Sequence, residues 1–284
     1  MRPPDPDDQA NVDQDTVDGF GDEWRRFDQR AVSDDELAAL FAAYFAVFPW
    51  AALPTGAVGF DLGCGSGRWA RQVAPRIGRL HAIDPAADAL AVARRNLAGC
   101  ANVEVHLAGV DAIPLADGSM DFGYSLGVLH HVPDTARGLR ACVRKLKPGA
   151  PFLLYLYYAF DNRPWWFRQV WRASDVVRRG VSRLPPPARY AASQALAAGV
   201  YWPLARTAHV LERLGVDVER VPLSAYRDRS FYVMRNDALD RFGTRLEQRF
   251  TRAGMRALME GAGLERVTFH ADVPYWTAVG YRRA

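Results

Sequence analysis

The chain has 284 residues, of which 49% are hydrophobic and 24% are charged, with a formal net charge of +4; this is typical of a globular protein with one large domain carrying an insertion, or with two small domains. No apolar run is long enough and sufficiently free of charge to span a bilayer, and the acidic, Pro-rich N-terminus lacks the apolar stretch of a secretory signal, so we expect a cytoplasmic protein with at most peripheral membrane contact. The absence of a dense Lys/Arg stripe and of familiar nucleic-acid motifs excludes nucleic acid as an expected partner, and nothing in the sequence indicates an oligomeric state.

The first 27 residues form two segments of different composition. Residues 1–19 are polar and acidic with few apolar side chains, which predicts a disordered tail because such a segment buries too little apolar surface to fold. Residues 20–27, with the sequence FGDEWRRF, contribute three aromatic side chains. We assign them to the folded part, either as a lid or as an ordinary docking segment.

A helix is predicted over residues 33–49. Ser33 is a suitable N-cap, Glu36 follows at the spacing of a capping box, and Pro49 ends the pattern. The apolar residues recur at three- and four-residue intervals, so the helix presents one apolar face.

From residue 57 the chain alternates between apolar strand-like runs and helices. Predicted helices begin at Arg68, after Pro85 and at Asp134, which caps the third. Strands that alternate with helices at this spacing indicate parallel pairing through right-handed crossovers, with helices on both faces of the sheet. The predicted strands are AVGFDLG, RLHAIDP, NVEVHLA, MDFGYSLG and APFLLYLYY.

The alternation stops over residues 161–248, which we predict to be a helical insertion after the fifth strand. Residues 249–284 then give one helix and two strands that form an antiparallel hairpin at the sheet edge. With residues 20–160 they complete the core. The predicted fold class is therefore α/β, with a seven-stranded, mostly parallel sheet and a helical insertion.

The insertion is also basic: residues 161–230 carry twelve arginines and six acidic residues. This pattern fits a solvated helical face, or a surface for an anionic substrate or a lipid headgroup.

Three glycines follow the first predicted strand at every second position, in the stretch FDLGCGSGRW. A glycine-rich turn between a first strand and its helix is where α/β sheets bind nucleotides. A dinucleotide site calls for G-x-G-x-x-G, whereas Gly63, Gly65 and Gly67 give G-x-G-x-G, and no Walker lysine follows. Cys64 lies within the turn, but no adjacent base marks it as a nucleophile. Because Cys64, Cys100 and Cys142 lack paired spacing, we predict no metal site and no disulfide framework.

The stretch DLGCGSG resembles the first motif of class I S-adenosylmethionine-dependent methyltransferases. The run VDAIPLADGSMDFGYSLGVLHHVPD and the turn LKPGAPFLLYLY resemble further motifs of the small-molecule branch of that family, the "methyltransferase type 11"-like branch. The resemblance covers residues 55–158 and, by topology only, 249–284. It departs from the pattern at Leu115 and Ala150. It implies a Rossmann-like sheet and S-adenosylmethionine as the cofactor.

The resemblance also implies which residues hold the cofactor. Asp84, at the end of the second strand, would bind the ribose hydroxyls, and its alternative role is that of a helix cap. Asp111 would receive the adenine amino group beside Ala112, unless it is only a turn residue. The residues after the fourth strand would pass beneath the methionine portion. The implied cofactor-binding set is Asp61, Gly63, Cys64, Gly65, Gly67, Asp84, Pro85, Asp111, Ala112, Ser125 and Leu126.

Two adjacent histidines follow the fourth strand. If the methyl acceptor is a hydroxyl, a base speeds the transfer, and we predict His130 as the first candidate and His131 as the second. Both could instead be structural histidines. An enol-like carbon or an amine acceptor would need less help.

The acceptor is predicted to lie against aromatic residues at and after the fifth strand, namely Tyr157, Tyr158, Trp165 and Trp166, although the tryptophans could instead be core residues. We expect a methyltransferase that acts on a small, amphiphilic or aromatic molecule, at oxygen or carbon rather than nitrogen. The alternatives are a nucleotide-binding oxidoreductase and an inactive cofactor-binding partner subunit.

Overall fold

The computed structural model describes residues 10–284, whose centre is a seven-stranded sheet of order β3-β2-β1-β4-β5-β7-β6. Neighbouring strands from β1 to β5 pair in parallel, whereas β7 runs antiparallel to both β5 and β6. The predicted α/β class and the C-terminal antiparallel pair are therefore confirmed. The strands are β1 (Val58–Leu62), β2 (Arg79–Asp84), β3 (Val103–Leu107), β4 (Phe122–Leu126), β5 (Pro151–Tyr155), β6 (Leu264–Phe269) and β7 (Ala278–Arg282).

Two strand glycines let β1 and β4 pack at the centre of this sheet. Gly59 is aligned with Phe122, and Phe60 with Gly123. A Cβ atom at Gly59 would lie 2.3 Å from the Phe122 ring, and one at Gly123 would lie 2.4 Å from the Phe60 ring. Each aromatic ring therefore covers the glycine on the neighbouring strand, which explains two glycines that would otherwise weaken a buried strand.

Four helices accompany the sheet in the same part of the chain. The Asp134 carboxylate caps the third of these by accepting a hydrogen bond from the backbone N–H of Arg137 at 2.8 Å, as the sequence predicts. Thr251 caps the fourth in the same way, through Gly254. The helices are α3 (Arg68–Val73), α4 (Ala87–Asn96), α5 (Thr135–Lys145) and α10 (Arg252–Gly261).

The ordered part of the chain begins closer to the N-terminus than the sequence predicts. Helix α1 (Gln14–Arg26) begins within the tail that we expect to be disordered. Asp13 starts it, because its carboxylate accepts a hydrogen bond from the backbone N–H of Thr16 at 2.8 Å. The disorder prediction is therefore wrong for residues 10–19, whose contacts with the core compensate for their few apolar side chains, and residues 1–9 lie outside the described residues.

The chain divides into two compact units. The first contains the sheet and comprises the chain up to Trp24 together with Leu40–Ala159 and Leu246–Ala284. The second comprises Arg25–Ala39 and Phe160–Arg245, so it adds a segment before the sheet to the inserted region.

The second unit is helical in the region that we predict to be a helical insertion. Its helices pack around a small core that includes Tyr201, Met234 and Phe242. Arg178, which is buried, pairs with Asp175 at 2.7 Å. The helices of this region are α6 (Trp165–Val181), α7 (Pro186–Leu196), a π-helical turn (Ala197–Tyr201), α8 (Trp202–Arg213) and α9 (Phe231–Gly243).

Helix α2 (Asp34–Tyr44) is shorter than the predicted 33–49. The Ser33 hydroxyl accepts a hydrogen bond from the backbone N–H of Glu36, as expected of the cap. The Glu36 carboxylate does not complete a capping box, because it accepts a hydrogen bond from Ser230 instead. No helix in residues 10–284 has the length and apolar character needed to cross a bilayer.

Candidate active site

In the glycine turn after β1, side chains from elsewhere in the chain pack directly against the backbone. Gly63, Gly65 and Gly67 have φ values of +77°, +53° and +76°, a left-handed conformation that glycine adopts without strain. A Cβ atom at Gly63 would lie 2.3 Å from Val128, and one at Gly65 would lie 2.7 Å from the Trp24 indole nitrogen. The turn therefore lacks side chains for both conformational and steric reasons.

Asp84 ends β2 and lies directly behind this turn. One of its carboxylate oxygens accepts a hydrogen bond from Gly65 N at 2.9 Å, and the other accepts one from Ala86 N at 2.8 Å. Burial raises the pKa of Asp84 to about 6, and the two backbone hydrogen bonds oppose that rise. Asp84 thus fastens the glycine turn to the start of α4, and each of its oxygens retains a lone pair for another donor.

Asp61 in β1 is the second buried acid of the site. Its Oδ2 atom has no hydrogen-bond partner, and Tyr124 is its aligned neighbour on β4. Burial raises the pKa of Asp61 to about 8, with the Tyr124 hydroxyl opposing the rise and the charge of Asp84 adding to it. An unpartnered buried carboxylate oxygen is costly unless something donates to it.

A cavity of about 50 Å³ opens at the carboxyl ends of the parallel strands. This is the edge where open α/β sheets bind ligands. Its sheet-side wall comes from residues at or after the ends of β1 to β4, namely Leu62, Gly63, Pro85, Gly109, Val110, Val128, Leu129, His131 and Val132.

The opposite wall is the N-terminal segment, residues 10–24, which we call the N-terminal strap. Asn11, Val12, Asp13 and Val17 line the cavity. The Asn11 side chain donates a hydrogen bond to the carbonyl of Asp134 at 2.8 Å and accepts one from its N–H at 2.7 Å. The strap thereby reduces the cavity well below the several hundred Å³ typical of ligand sites.

The remaining residues implied for the cofactor have varied surroundings. The Asp111 carboxylate accepts a hydrogen bond from the backbone N–H of Asn11 and pairs with Arg137 at 3.4 Å. Ala112 is exposed, and its neighbour Val110 lines the cavity instead. The hydroxyl of Ser125 donates a hydrogen bond to the carbonyl of Leu62, which ties the end of β4 to that of β1.

Leu126 and Cys64 are both buried apolar residues. Burial, together with the charges of Asp84 and Asp61, raises the pKa of the Cys64 thiol well above its ordinary value. Cys64 therefore remains a thiol, which agrees with a structural role and not with that of a nucleophile.

The two histidines after β4 have different environments. His131 lines the cavity, and its Nδ1 atom is 2.6 Å from the carbonyl of Leu246. Because a carbonyl only accepts, Nδ1 carries a proton, and in the neutral imidazole the lone pair is then on Nε2, which is a buried atom. His130 is fully buried with its ring centroid 4.0 Å from that of Tyr157, and neither of its ring nitrogens has a hydrogen-bond partner.

Residues 246–249 close the outer side of this histidine pair. Gln248 N–H donates to the carbonyl of His130, and its side chain donates to that of Val132. Glu247 pairs with Arg249 at 2.7 Å, and both side chains are buried. Sequence reasoning missed these residues, because no local pattern connects them to a histidine pair more than a hundred positions earlier.

The four residues predicted to bind the acceptor have different surroundings within their own units. Tyr157 contacts both histidine rings, whereas the ring of Tyr158 lies 5.4 Å from that of Tyr275. Trp165 and Trp166 open helix α6 in the second unit, and Trp165 is 70% exposed. That exposure argues against a role for Trp165 in the core.

Comparison with known proteins identifies the sheet domain. A family model described as a methyltransferase domain, Methyltransf_11, matches residues 60–154, which span β1 to β5 with the glycine turn, both buried acids and the histidine pair. Residues 60–154 belong to the class I S-adenosylmethionine-dependent methyltransferases. The methyl donor of this methyltransferase family is S-adenosylmethionine, as the resemblance implies.

Curated relatives of the methyltransferase domain include enzymes with different acceptors. The domain is 35% identical over 101 residues to a ubiquinone biosynthesis O-methyltransferase of Xanthomonas oryzae, an alignment that covers 35% of this chain and 42% of the relative. It is 34% identical over 100 residues to phosphoethanolamine N-methyltransferase 2 of Caenorhabditis elegans, covering 34% and 23% of the two chains. The match thus spans less than half of either relative.

One solved structure resembles the chain over nearly its full length. It is a chain from the complex of the Haloferax volcanii Trm112 methyltransferase activator with a methyltransferase, with a TM-score of 0.54, 17% identity, and coverage of 95% of this chain and 98% of that one. At this identity the similarity describes the fold alone.

The residues at the strand ends fit S-adenosylmethionine. The orphan Asp61 oxygen needs a donor such as an ammonium group, and Asp84 retains lone pairs for a diol. The three left-handed glycines leave their backbone open to close approach. Pro85, which is also implied for the cofactor, lines the cavity.

Proposed function

We propose that this protein transfers a methyl group from S-adenosylmethionine to a small-molecule acceptor, at oxygen or carbon rather than nitrogen. The observation that carries the proposal is the pair of buried acids beside the glycine turn, within a domain of a methyltransferase family. An unpartnered oxygen on Asp61 and a shared carboxylate on Asp84 suit the ammonium and ribose hydroxyls of this cofactor. They do not suit a phosphate, which acidic side chains would repel.

When bound, S-adenosylmethionine supplies an already activated methyl group. The protein then has to hold the acceptor in line and exclude water. In our proposal Asp61 and Asp84 bind and orient the cofactor, and the backbone of the glycine turn follows it closely. His131 accepts the acceptor's proton at Nε2, while the Leu246 carbonyl holds Nδ1–H. This arrangement favours a hydroxyl, or a carbon acid that is not yet enolised, as acceptor, because each must give up a proton before or during its attack on the methyl group, whereas an amine attacks through its lone pair and loses its proton afterwards.

The chosen base differs from the one that the sequence places first. His131 is preferred because it lines the cavity at the strand ends, whereas His130 packs against Tyr157. Burial is the largest cause that lowers the pKa of His130 well below its ordinary value, and the charge of Arg249 acts in the same direction. A weakly basic imidazole outside the cavity wall is the poorer proton acceptor.

We also propose that the aromatic start of α6 binds the acceptor. Two adjacent tryptophans, one of them 70% exposed, are unusual on a solvated face. Replacing Trp165 and Trp166 together with Ala should raise the acceptor KM and leave cofactor affinity unchanged. Loss of both affinities in parallel would show that the pair supports folding instead.

The decisive experiment for the cofactor is calorimetry with S-adenosylhomocysteine and S-adenosylmethionine. Asp84→Asn should weaken binding by about 1.5–3 kcal/mol, the scale of hydrogen bonds to a charged group. Asp117→Asn, which removes an exposed carboxylate paired with Lys145, is the matched control and should bind as the wild type does. Equal affinities for wild type and Asp84→Asn, or tighter binding of a nicotinamide dinucleotide, would contradict the proposal.

Activity itself is tested by transfer of a radiolabelled methyl group to a panel of phenols, enolisable carbonyl compounds and amines. We expect labelled products from the first two classes. Cofactor binding without transfer to any of the panel would instead favour the inactive partner subunit.

A further inference from the structure

A cluster of two imidazoles and one carboxylate lies away from the strand ends. His81 is on β2, and Glu104 and His106 are on the neighbouring edge strand β3. His81 and Glu104 are aligned across the parallel pair, and His106 follows two residues later on the same face of β3. Strand pairing thereby joins histidines that are 25 positions apart.

The three side chains converge on one point. His81 Nδ1 is 3.0 Å from His106 Nε2 and 3.5 Å from a Glu104 oxygen, and His106 Nε2 is 3.7 Å from the other Glu104 oxygen. Within residues 10–284, this is the group of three potential ligands whose atoms all lie within 4.8 Å of one another.

The separation of the two nitrogens matches that of two ligands of one ion, and the nitrogen–oxygen separations of 3.5 and 3.7 Å are slightly longer than that of a tetrahedral ligand pair. With metal–ligand bonds of roughly 2.0–2.2 Å, two donor atoms lie about 3.0 Å apart at a right angle and about 3.4 Å apart at a tetrahedral angle. A nitrogen pair with one carboxylate oxygen is a donor set of borderline softness, which zinc, cobalt, nickel and copper accept more readily than calcium or magnesium does.

We propose that His81, Glu104 and His106 form a binding site for a divalent transition-metal ion, zinc being the representative case. His81 is largely buried, whereas the Glu104 side chain is 56% exposed. Solvent can therefore reach the ion and complete its coordination.

The position of the site indicates that a bound ion would have a structural role. His81 precedes Asp84 by three residues, which is about 10 Å along a strand, and it lies away from the carboxyl ends where the cavity opens. An ion here would fasten the edge strand β3 to β2. We expect it to stabilise the sheet domain without taking part in methyl transfer, so the site stands independently of the proposed function.

The test uses the full-length chain, produced without a polyhistidine tag and freed of metal with a chelator. Cobalt(II) titration is followed by its visible absorption, and zinc affinity is obtained by competition. Wild type should take up one equivalent, and zinc should raise its melting temperature. His106→Ala and Glu104→Gln should each weaken cobalt binding at least about tenfold, since changes even outside the ligand set cost this much at metal sites.

His209→Ala is the matched control. That imidazole also contacts a carboxylate, Asp228 at 2.9 Å, but it has no second imidazole beside it, so its loss should leave cobalt affinity unchanged. Glu104→Gln replaces a mostly exposed side chain and keeps the test valid if the histidine variant folds poorly. Unchanged affinity in both variants, or no cobalt uptake by wild type at millimolar concentration, would overturn the site.

Discussion

At the scale of single residues, the two adjacent histidines after β4 show how much position determines chemistry. His131 has one nitrogen fixed by a backbone carbonyl and lines the cavity, while His130 is enclosed by Tyr157 and its neighbours. A carbonyl bound to Nδ1–H orients an imidazole so that Nε2 is the proton acceptor, which is the arrangement required of a general base.

We predict that His131→Ala lowers kcat by roughly 10²–10⁴, the usual contribution of a general base. The deficit should shrink as pH rises, because solvent hydroxide then substitutes for the missing base. Steady-state kinetics with the acceptor found in the methyl-transfer screen measures both effects. His130→Phe, which keeps an aromatic ring against Tyr157, is the comparison. Should His130→Phe lose turnover while His131→Ala retains it, His130 would be the base.

The buried acid Asp61 makes a prediction about stability. Its folded-state pKa, about 8, is raised above its ordinary value by burial. Between pH 4 and pH 8 the folded protein therefore holds a proton that the unfolded chain has already released. The free energy of unfolding of the unliganded protein must fall as pH rises through this window, by up to about 1.4 kcal/mol per pH unit for this group.

Asp61→Asn removes this titration and keeps the shape of the side chain. Urea unfolding at pH 5 and at pH 7.5 should show a smaller loss of stability in the variant than in the wild type. Since every other group is common to the two proteins, the difference isolates Asp61. Parallel stability profiles would mean that the carboxyl group is already ionised in the folded state at pH 5.

At the scale of elements, the N-terminal strap determines access to the cofactor site. It places Trp24 against Gly65, brings the ring of Phe20 to 5.0 Å from that of His131, and lines one wall of the cavity. The cavity of about 50 Å³ is too small for a nucleoside. We therefore predict that the strap shifts when the cofactor binds, with Trp24 of the segment FGDEWRRF acting as part of a lid.

Asn11→Ala should speed the association of S-adenosylhomocysteine by up to about thirtyfold. The variant loses two hydrogen bonds to the backbone of Asp134, each worth about 1 kcal/mol, and so favours the open strap. Stopped-flow tryptophan fluorescence measures the rate. Gln14→Ala, whose side chain bonds only to Asp18 within the helix, should associate at the wild-type rate. An unchanged rate in Asn11→Ala would show that the strap does not limit entry.

At the scale of the whole molecule, the chain has two compact units. We expect a substitution in the second unit to change the stability of that unit without changing the affinity for the cofactor. Arg178 is central to the second unit, because it pairs with Asp175 and donates hydrogen bonds to the carbonyls of Thr244 and Arg245. When Arg178 is lost, Asp175 still pairs with Arg179. The carbonyls of Thr244 and Arg245, however, lose their donor, and a buried acceptor left without a donor is destabilising.

Arg178→Met should lower the free energy of unfolding of the second unit by about 1–3 kcal/mol, the cost of leaving buried carbonyls without their donor. The affinity for S-adenosylhomocysteine should be unchanged, because every residue that lines the cavity lies in the first unit. Arg179→Met is the matched control: it also pairs with Asp175, but the Arg179 side chain is 65% exposed, so its loss should cost at most about 1 kcal/mol. Denaturant unfolding and calorimetry provide the two readouts. Equal losses in the two variants would contradict this account of Arg178.

The sequence by itself determined the features that depend on short-range patterns. Alternating strands and helices predicted the parallel sheet, Asp134 predicted the cap of α5, and the glycines at 63, 65 and 67 predicted a turn at the end of β1. Each of these follows from local backbone geometry or from a side chain that bonds within one turn. Each can therefore be predicted from a few neighbouring residues.

Only the tertiary structure decided which distant residues meet. It placed β7 between β5 and β6, laid the N-terminal strap against the glycine turn, turned His131 and not His130 to the cavity, and joined His81 to His106 across two strands. These contacts link positions that are tens to hundreds of residues apart. They depend on packing between elements, which leaves no periodicity along the chain from which they could be predicted.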